Sequence, residues 1–221
     1  MLRAINLVCL LLAVAWFARS PDWEPAIVGL GLLGALGVQE WFLGLRFLDR
    51  GQVDSRLGTL EERLAKVKSS VWISGNDCKF VVEASSAALD GALARGVRLK
   101  LLLVDPDGDA PEMLAQVDPR FPTSQHFRDS MYEVLTRLEE WRERYPTLFE
   151  YRLLSVLPAM GFFIMDHESG GGTVKVEIYS AKPWRPISSR PHFVLSRLSG
   201  AWRSYFLAQW ENYWGMARGP V

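Results

Sequence analysis

Of the three imidazoles of the chain, His126, His167 and His192, only His192 is a candidate nucleophile, and each reads more readily as a surface or satisfied histidine than as a ligand. None has a second ligand at metal-site spacing. The only cysteines, Cys9 and Cys78, are too few for a cysteine-based zinc cluster or a disulfide framework. No metal or cofactor is expected. Asp105-Pro106-Asp107-Gly108-Asp109 has the look of a calcium loop, but an EF-hand starting at Asp105 needs Gly at its sixth position and Glu at its twelfth. Ala110 and Gln116 stand there, so a polar turn is the better reading. Gly170-Gly171-Gly172 lacks the Gly-Lys-Ser/Thr ending of a phosphate loop and reads as a flexible turn.

A more promising constellation lies where predicted strands end. Ser74, Asn76, Asp105 and Asp166, with Glu177, Arg190 and His192 from the later half, are expected to share one rim. Ligands of open α/β sheets favour the carboxyl ends of parallel strands. The competing reading is that these are turn and cap residues, or that Arg190 simply pairs with Glu177.

The elements that must position this rim follow from periodicity. Val71–Asn76 reads as a short buried strand, Phe80–Ala94 as a helix stopped by Gly96, and Arg98–Val104 as a second strand. That order implies a parallel crossover. A long helix is predicted over Pro122–Tyr145, with Met131, Val134, Leu135, Leu138 and Trp141 inward. Strands are predicted over Phe149–Val156, Gly161–Met165, Thr173–Tyr179 and His192–Leu195. A closing helix over Ser199–Ala217 carries Trp202, Phe206, Trp210 and Tyr213 on one face. The fold class is α/β, a mixed sheet flanked by helices.

The run VWISGND, the helix after it and ALARGVRLKLLLVDPDGD resemble half of a phospholipase D-like domain. So do YRLLSVLPAMGFFIMD, VKVEIYS and the Trp-rich last helix. The resemblance covers roughly residues 69–217. In that family two H-x-K-x4-D motifs meet at one active site, where the His attacks phosphorus and the Lys holds the phosphate. With Asp166 as the motif's Asp, the Lys position is Gly161 and the His position is Ala159. The resemblance thus implies a degenerate member with no catalytic residue assigned, still able to bind a phosphate-bearing ligand.

Ahead of this domain, Ala4–Ala18 and Pro25–Val38 are apolar stretches joined by Arg19-Ser20-Pro21-Asp22-Trp23-Glu24. A spanning helix needs about 20 apolar residues, and residues 1–47 read as a transmembrane helical hairpin. A cleaved signal peptide is the alternative, but Trp-Phe-Ala-Arg-Ser-Pro is a poor cleavage site. Arg3 on one side, with Arg46, Arg50 and Arg56 after the second span, places both termini in the cytoplasm of a bacterial inner membrane. The hairpin also resembles those fused to cytoplasmic domains of bacterial defence and signalling proteins. Gly31, Gly34, Ala35 and Gly37 are small residues suited to close packing of membrane helices. Residues 48–70 read as a heptad helix in which Leu57, Leu60, Leu64 and Val67 form a seam. That seam serves either a self-association stalk or packing on the domain behind it, residues 71–221.

Lys+Arg and Asp+Glu are 25 each, so no basic excess signals nucleic acid. The expected partners are the lipid bilayer, a second copy of the chain, and a nucleotide ligand or protein partner. The expected function is a membrane-anchored, non-catalytic sensor or effector. A membrane-bound phosphodiesterase using His192, or a plain tether, are the alternatives.

Overall fold

A computed structural model describes residues 45–48, 50–169, 172–179 and 190–219. The packing residues Gly31, Gly34, Ala35 and Gly37, and nearly all of the predicted hairpin, lie outside the described residues. Among the described residues no helix is long and apolar enough to cross a membrane.

A seven-stranded mixed sheet forms the frame. Its strands in chain order are β1 (Leu45–Leu48), β2 (Ser70–Ser74), β3 (Arg98–Val104), β4 (Phe149–Leu154), β5 (Met160–Met165), β6 (Thr173–Ile178) and β7 (His192–Leu195). They lie in the order β1-β7-β6-β5-β2-β3-β4. β2, β3 and β4 are parallel, and the other neighbours are antiparallel.

Helices cover both faces. On one side lie α1 (Arg50–Leu57), α2 (Leu60–Lys66), α3 (Lys79–Ala84), α4 (Ser86–Ala94), α5 (Ala110–Val117) and α6 (Ser124–Arg144), and on the other α7 (Gly200–Met216). Because side chains alternate along a strand, Val71 and Ile73 join the core beneath the first helices. Trp72 between them joins the core under α7. Burial on both faces explains why β3 reads as an unbroken apolar run from Leu101 to Val104.

α6 starts at Thr123, whose side chain accepts the His126 N–H at 3.1 Å. It buries Phe127, Met131, Val134, Leu138 and Trp141, four of them predicted. On α7 the buried stripe is Phe206, Trp210 and Trp214, and Trp210 stacks on Trp72 with ring centroids 5.5 Å apart. Trp202, expected on the inward face, is instead 46% exposed.

The region between residues 48 and 70 departs from the single heptad helix. Gly58, at φ +84°, breaks it into α1 and α2, a conformation that glycine adopts without steric cost. Thr59 then starts α2 through a capping box with Glu62. Leu64 and Val67 are buried in the domain's own core, with Leu60 packed against it, and Leu57 packs with Val53 under β1. The seam is therefore spent within the fold. Leu45–Phe47, counted with the hairpin, and Leu48, counted with the heptad helix, instead pair with β7 as an edge strand. The predicted helix Phe80–Ala94 is two helices divided at Ser85, whose hydroxyl donates to Glu61 at 2.8 Å.

Candidate functional site

The register decides which residues meet. Ser74 at the end of β2 pairs with Phe162, Gly161 pairs with Glu177, and Glu177 pairs with His192. Four neighbouring strands thus bring Ser74, Gly161, Glu177 and His192 to one end of the sheet. Asn76 follows Ser74, and its carbonyl accepts the Val104 N–H at 3.1 Å. Arg190 precedes β7 and is buried.

Glu177 is the hub. It accepts from Arg190 Nη1 at 3.0 Å, and its other oxygen lies 3.5 Å from His192 Nε2. Burial alone would raise its pKa. The hydrogen bond from His192, the charge of Lys175 and the hydrogen bond from Arg190 outweigh that and hold it at about 2. Arg190 reaches on to Asp118 at 3.5 Å and lies over the Tyr179 ring at 4.9 Å. Asp118 is buried, yet the donors of Arg120, 2.8 Å away at the shortest, keep its carboxyl below the usual range. Arg120 also pairs with Asp77 at 3.3 Å. The Cys78 thiol lies beside this network. Burial pushes its pKa far up, so it is no thiolate nucleophile at neutral pH.

Gly161 is the residue that the resemblance aligned with the motif lysine. A Cβ there would overlap the Tyr179 hydroxyl and stand 3.1 Å from the Ser74 carbonyl oxygen. Tyr179 is held by its own N–H, which donates to the Ala159 carbonyl at 3.1 Å. Burial, then the nearby Glu177, keep its phenol protonated. The Tyr179 hydroxyl thus occupies the space above Gly161, and the Ala159 backbone helps to hold that tyrosine there. His192 is buried to 2% exposure and engaged with Glu177.

Three of the predicted rim residues have other duties. Ser74 Oγ accepts the Phe162 N–H at 2.9 Å and latches β2 to β5. Asp105 takes Arg218 bidentately, at 2.6 and 2.8 Å. The backbone of Arg218 bonds both ways with Leu153, clasping the end of the chain to β4. Asp166 lies at the opposite end of the sheet and leaves the rim altogether, because β5 runs antiparallel to β2. There its carboxylate accepts from the N–H groups of Lys68, Ser69 and Ser70 and from the Ser69 hydroxyl. These donors overcome the effect of burial and lower its pKa.

Asp77, Asp118, Arg120 and Tyr179 complete the network and were missed. Asp118-Pro-Arg120 carried the one legible signal, an Asx turn in which Asp118 accepts the Arg120 N–H at 3.1 Å. Among the described residues no group of three or more His, Cys, Asp or Glu side chains is placed to hold a metal ion.

No protein-family model and no curated protein matches the sequence. Solved structures do match in shape. Phosphatidylserine synthase of Haemophilus influenzae aligns at TM-score 0.51 and 11% identity, over 80% of this chain and 39% of that one. The phospholipase D family member Nuc of Salmonella typhimurium aligns at 0.43 and 14%, over 80% and 95%. TrmBL2, an archaeal chromatin protein, aligns at 0.48 and 14%, over 90% and 67%. The chain thus spans well under half the length of the synthase, and at these identities the likeness speaks for the fold alone. Together with the mixed sheet and its helical layers, the likeness to the synthase supports a phospholipase D-like fold for the described domain.

Proposed function

We propose that this chain is a membrane-anchored, non-catalytic sensor or effector of the bacterial defence or signalling type. Its phospholipase D-like domain binds a ligand or partner protein in the cytoplasm, and its amino-terminal hairpin assembles in or perturbs the membrane. The observation that carries the non-catalytic part is Tyr179 in the space of the motif lysine, over Gly161. Ala159 offers no nucleophile. The binding part is supported by buried polar atoms at the same end. Asn76 Oδ1, Arg190 Nε and His192 Nδ1 have no hydrogen-bond partner among the described residues. Each such orphan costs about 1–3 kcal/mol, which a bound group would recover. The anchoring part rests on the two apolar stretches before Leu45.

The test is an assay of the full chain in detergent against a chromogenic phosphodiester, phospholipid vesicles and single-stranded DNA, paired with a thermal-shift screen of nucleotides. No turnover, with stabilisation by a ligand, is expected. Turnover abolished by His192→Ala would replace this reading with the phosphodiesterase.

A further inference from the structure

The strand register fixes where the apolar amino-terminal segment meets the domain. Leu45 pairs with Leu195, Leu195 with Val174, and the neighbouring Thr173 with Met165, which pairs with Val71. The chain therefore joins the sheet at the end opposite Glu177 and His192. α7 begins at this end too, since Gly200 follows β7 by one short turn.

This end is basic and aromatic. Lys66, Lys68, Arg98 and Arg197 are exposed. Its acids are engaged: Glu168 pairs with Arg98, and Asp166 is capped by backbone N–H groups. A cavity of about 390 Å³ lined by Arg63, Lys66, Lys68 and Met165 opens here. On the flank, Trp202 and Tyr205 are 46% and 51% exposed and pack on Phe206, which stacks on Phe193 of β7. Exposed tryptophan and tyrosine beside lysine and arginine is the composition of a surface at the headgroup level of an anionic bilayer.

We propose that the sheet end carrying Leu45, Lys68, Arg98, Arg197, Trp202 and Tyr205 docks on the headgroups of an anionic membrane. This rests on the hairpin reading and adds an orientation to it. The domain lies against the bilayer, and the Glu177 network faces the cytoplasm, where ligand or partner arrives. The occupant is lipid because the apolar segment outside the described residues ends at Leu45, in the same end. The exposed charges of Lys66, Lys68 and Arg197, which no acid among the described residues neutralises, also complement anionic headgroups.

The experiment uses the full chain with Cys9→Ser, leaving the buried Cys78 in place. It is reconstituted into vesicles of phosphatidylcholine with or without phosphatidylglycerol. A fluorophore is placed at Tyr205→Cys or at Val156→Cys, an exposed site at the far end of the sheet. Nitroxide-headgroup lipid is the quencher, and flotation reports anchoring separately. Docking predicts several-fold stronger quenching at 205 than at 156 when phosphatidylglycerol is present. Lys68→Glu with Arg197→Glu should weaken it by roughly fivefold per charge. A chain that floats with the vesicles but shows equal quenching at both sites overturns the docking and spares the anchor. Copy-to-copy crosslinking through position 205 without lipid quenching overturns it in favour of self-association. A chain that does not float overturns both.

Discussion

The Tyr179 hydroxyl fills the space into which a side chain at Gly161 would project. The two residues therefore form a lock. Gly161→Ala is expected to cost about 1–3 kcal/mol, the usual range for forcing an atom into a packed site. Tyr179→Ala in the same chain should recover part of that loss. A double-mutant cycle read by thermal unfolding measures the coupling, and strictly additive effects would contradict the lock.

The same relationship gives a test of the proposed non-catalytic reading. Installing the motif with Ala159→His and Gly161→Lys should give no phosphodiester turnover while Tyr179 remains. Adding Tyr179→Gly opens the space for the lysine. Turnover by the two-residue variant alone would show that Tyr179 is no obstacle.

Acid sensitivity follows from the carboxylates. The pKa of Glu177 lies near 2, against an ordinary 4.5, and those of Asp105, Asp118 and Asp166 are also lowered. A depressed carboxylate contributes stability that is fully present above its ordinary pKa and is lost as pH falls through the folded value. Melting temperature should therefore fall between about pH 4.5 and 2. In Glu177→Gln that acid limb should flatten, with a lower plateau at neutral pH because Arg190 and His192 lose their acceptor. An unchanged limb would show that Glu177 is not ion-paired in solution.

The clasp at the carboxyl end predicts a distant effect. Arg218→Ala leaves the buried Asp105 without its bidentate partner, a loss of roughly 1–3 kcal/mol. Hydrogen exchange should quicken at the Leu153 amide, which donates to the Arg218 carbonyl at 2.9 Å. Protection unchanged at that amide would count against the clasp.

Leu64 separates the two uses of the heptad seam. It is fully buried in the domain core. Leu64→Ala should cost about 2–5 kcal/mol of unfolding free energy and leave the oligomeric state in detergent unaltered. Loss of an oligomer at unchanged stability would restore the stalk.

Much of this fold was legible because its signals were local. β3 and β7 have the predicted limits, and the parallel step from β2 to β3 follows from a strand, a helix and a strand in sequence. α5 was missed because Asp105–Asp109 reads as a polar turn, and the helix that follows it carries Pro111 in its first turn, where proline is tolerated. β1 was missed because its four residues prolong an apolar run, and pairing with a strand almost 150 positions away leaves no local trace. The site was half legible for a similar reason. Strand ends attract polar residues, so Ser74, Glu177, Arg190 and His192 could be picked out. Which end each occupies depends on strand direction, and that set Asp166 apart from the others. Tyr179 looked like the last residue of a strand, and only the close approach of Gly161 reveals its role.

The short ladder between β1 and β7 also has a mechanical meaning. Leu45 to Leu48 run antiparallel to Leu195 to His192, and the polypeptide leaves this ladder at its Leu45 end. A tug on the segment before Leu45, directed away from the sheet end, acts along the strand axis. It loads the ladder's hydrogen bonds in shear, all together, rather than peeling them one by one. Four residues of edge strand thus make a stiff coupling, and a displacement of the amino-terminal segment would reach β7, and with it His192, as a push or pull on the whole strand.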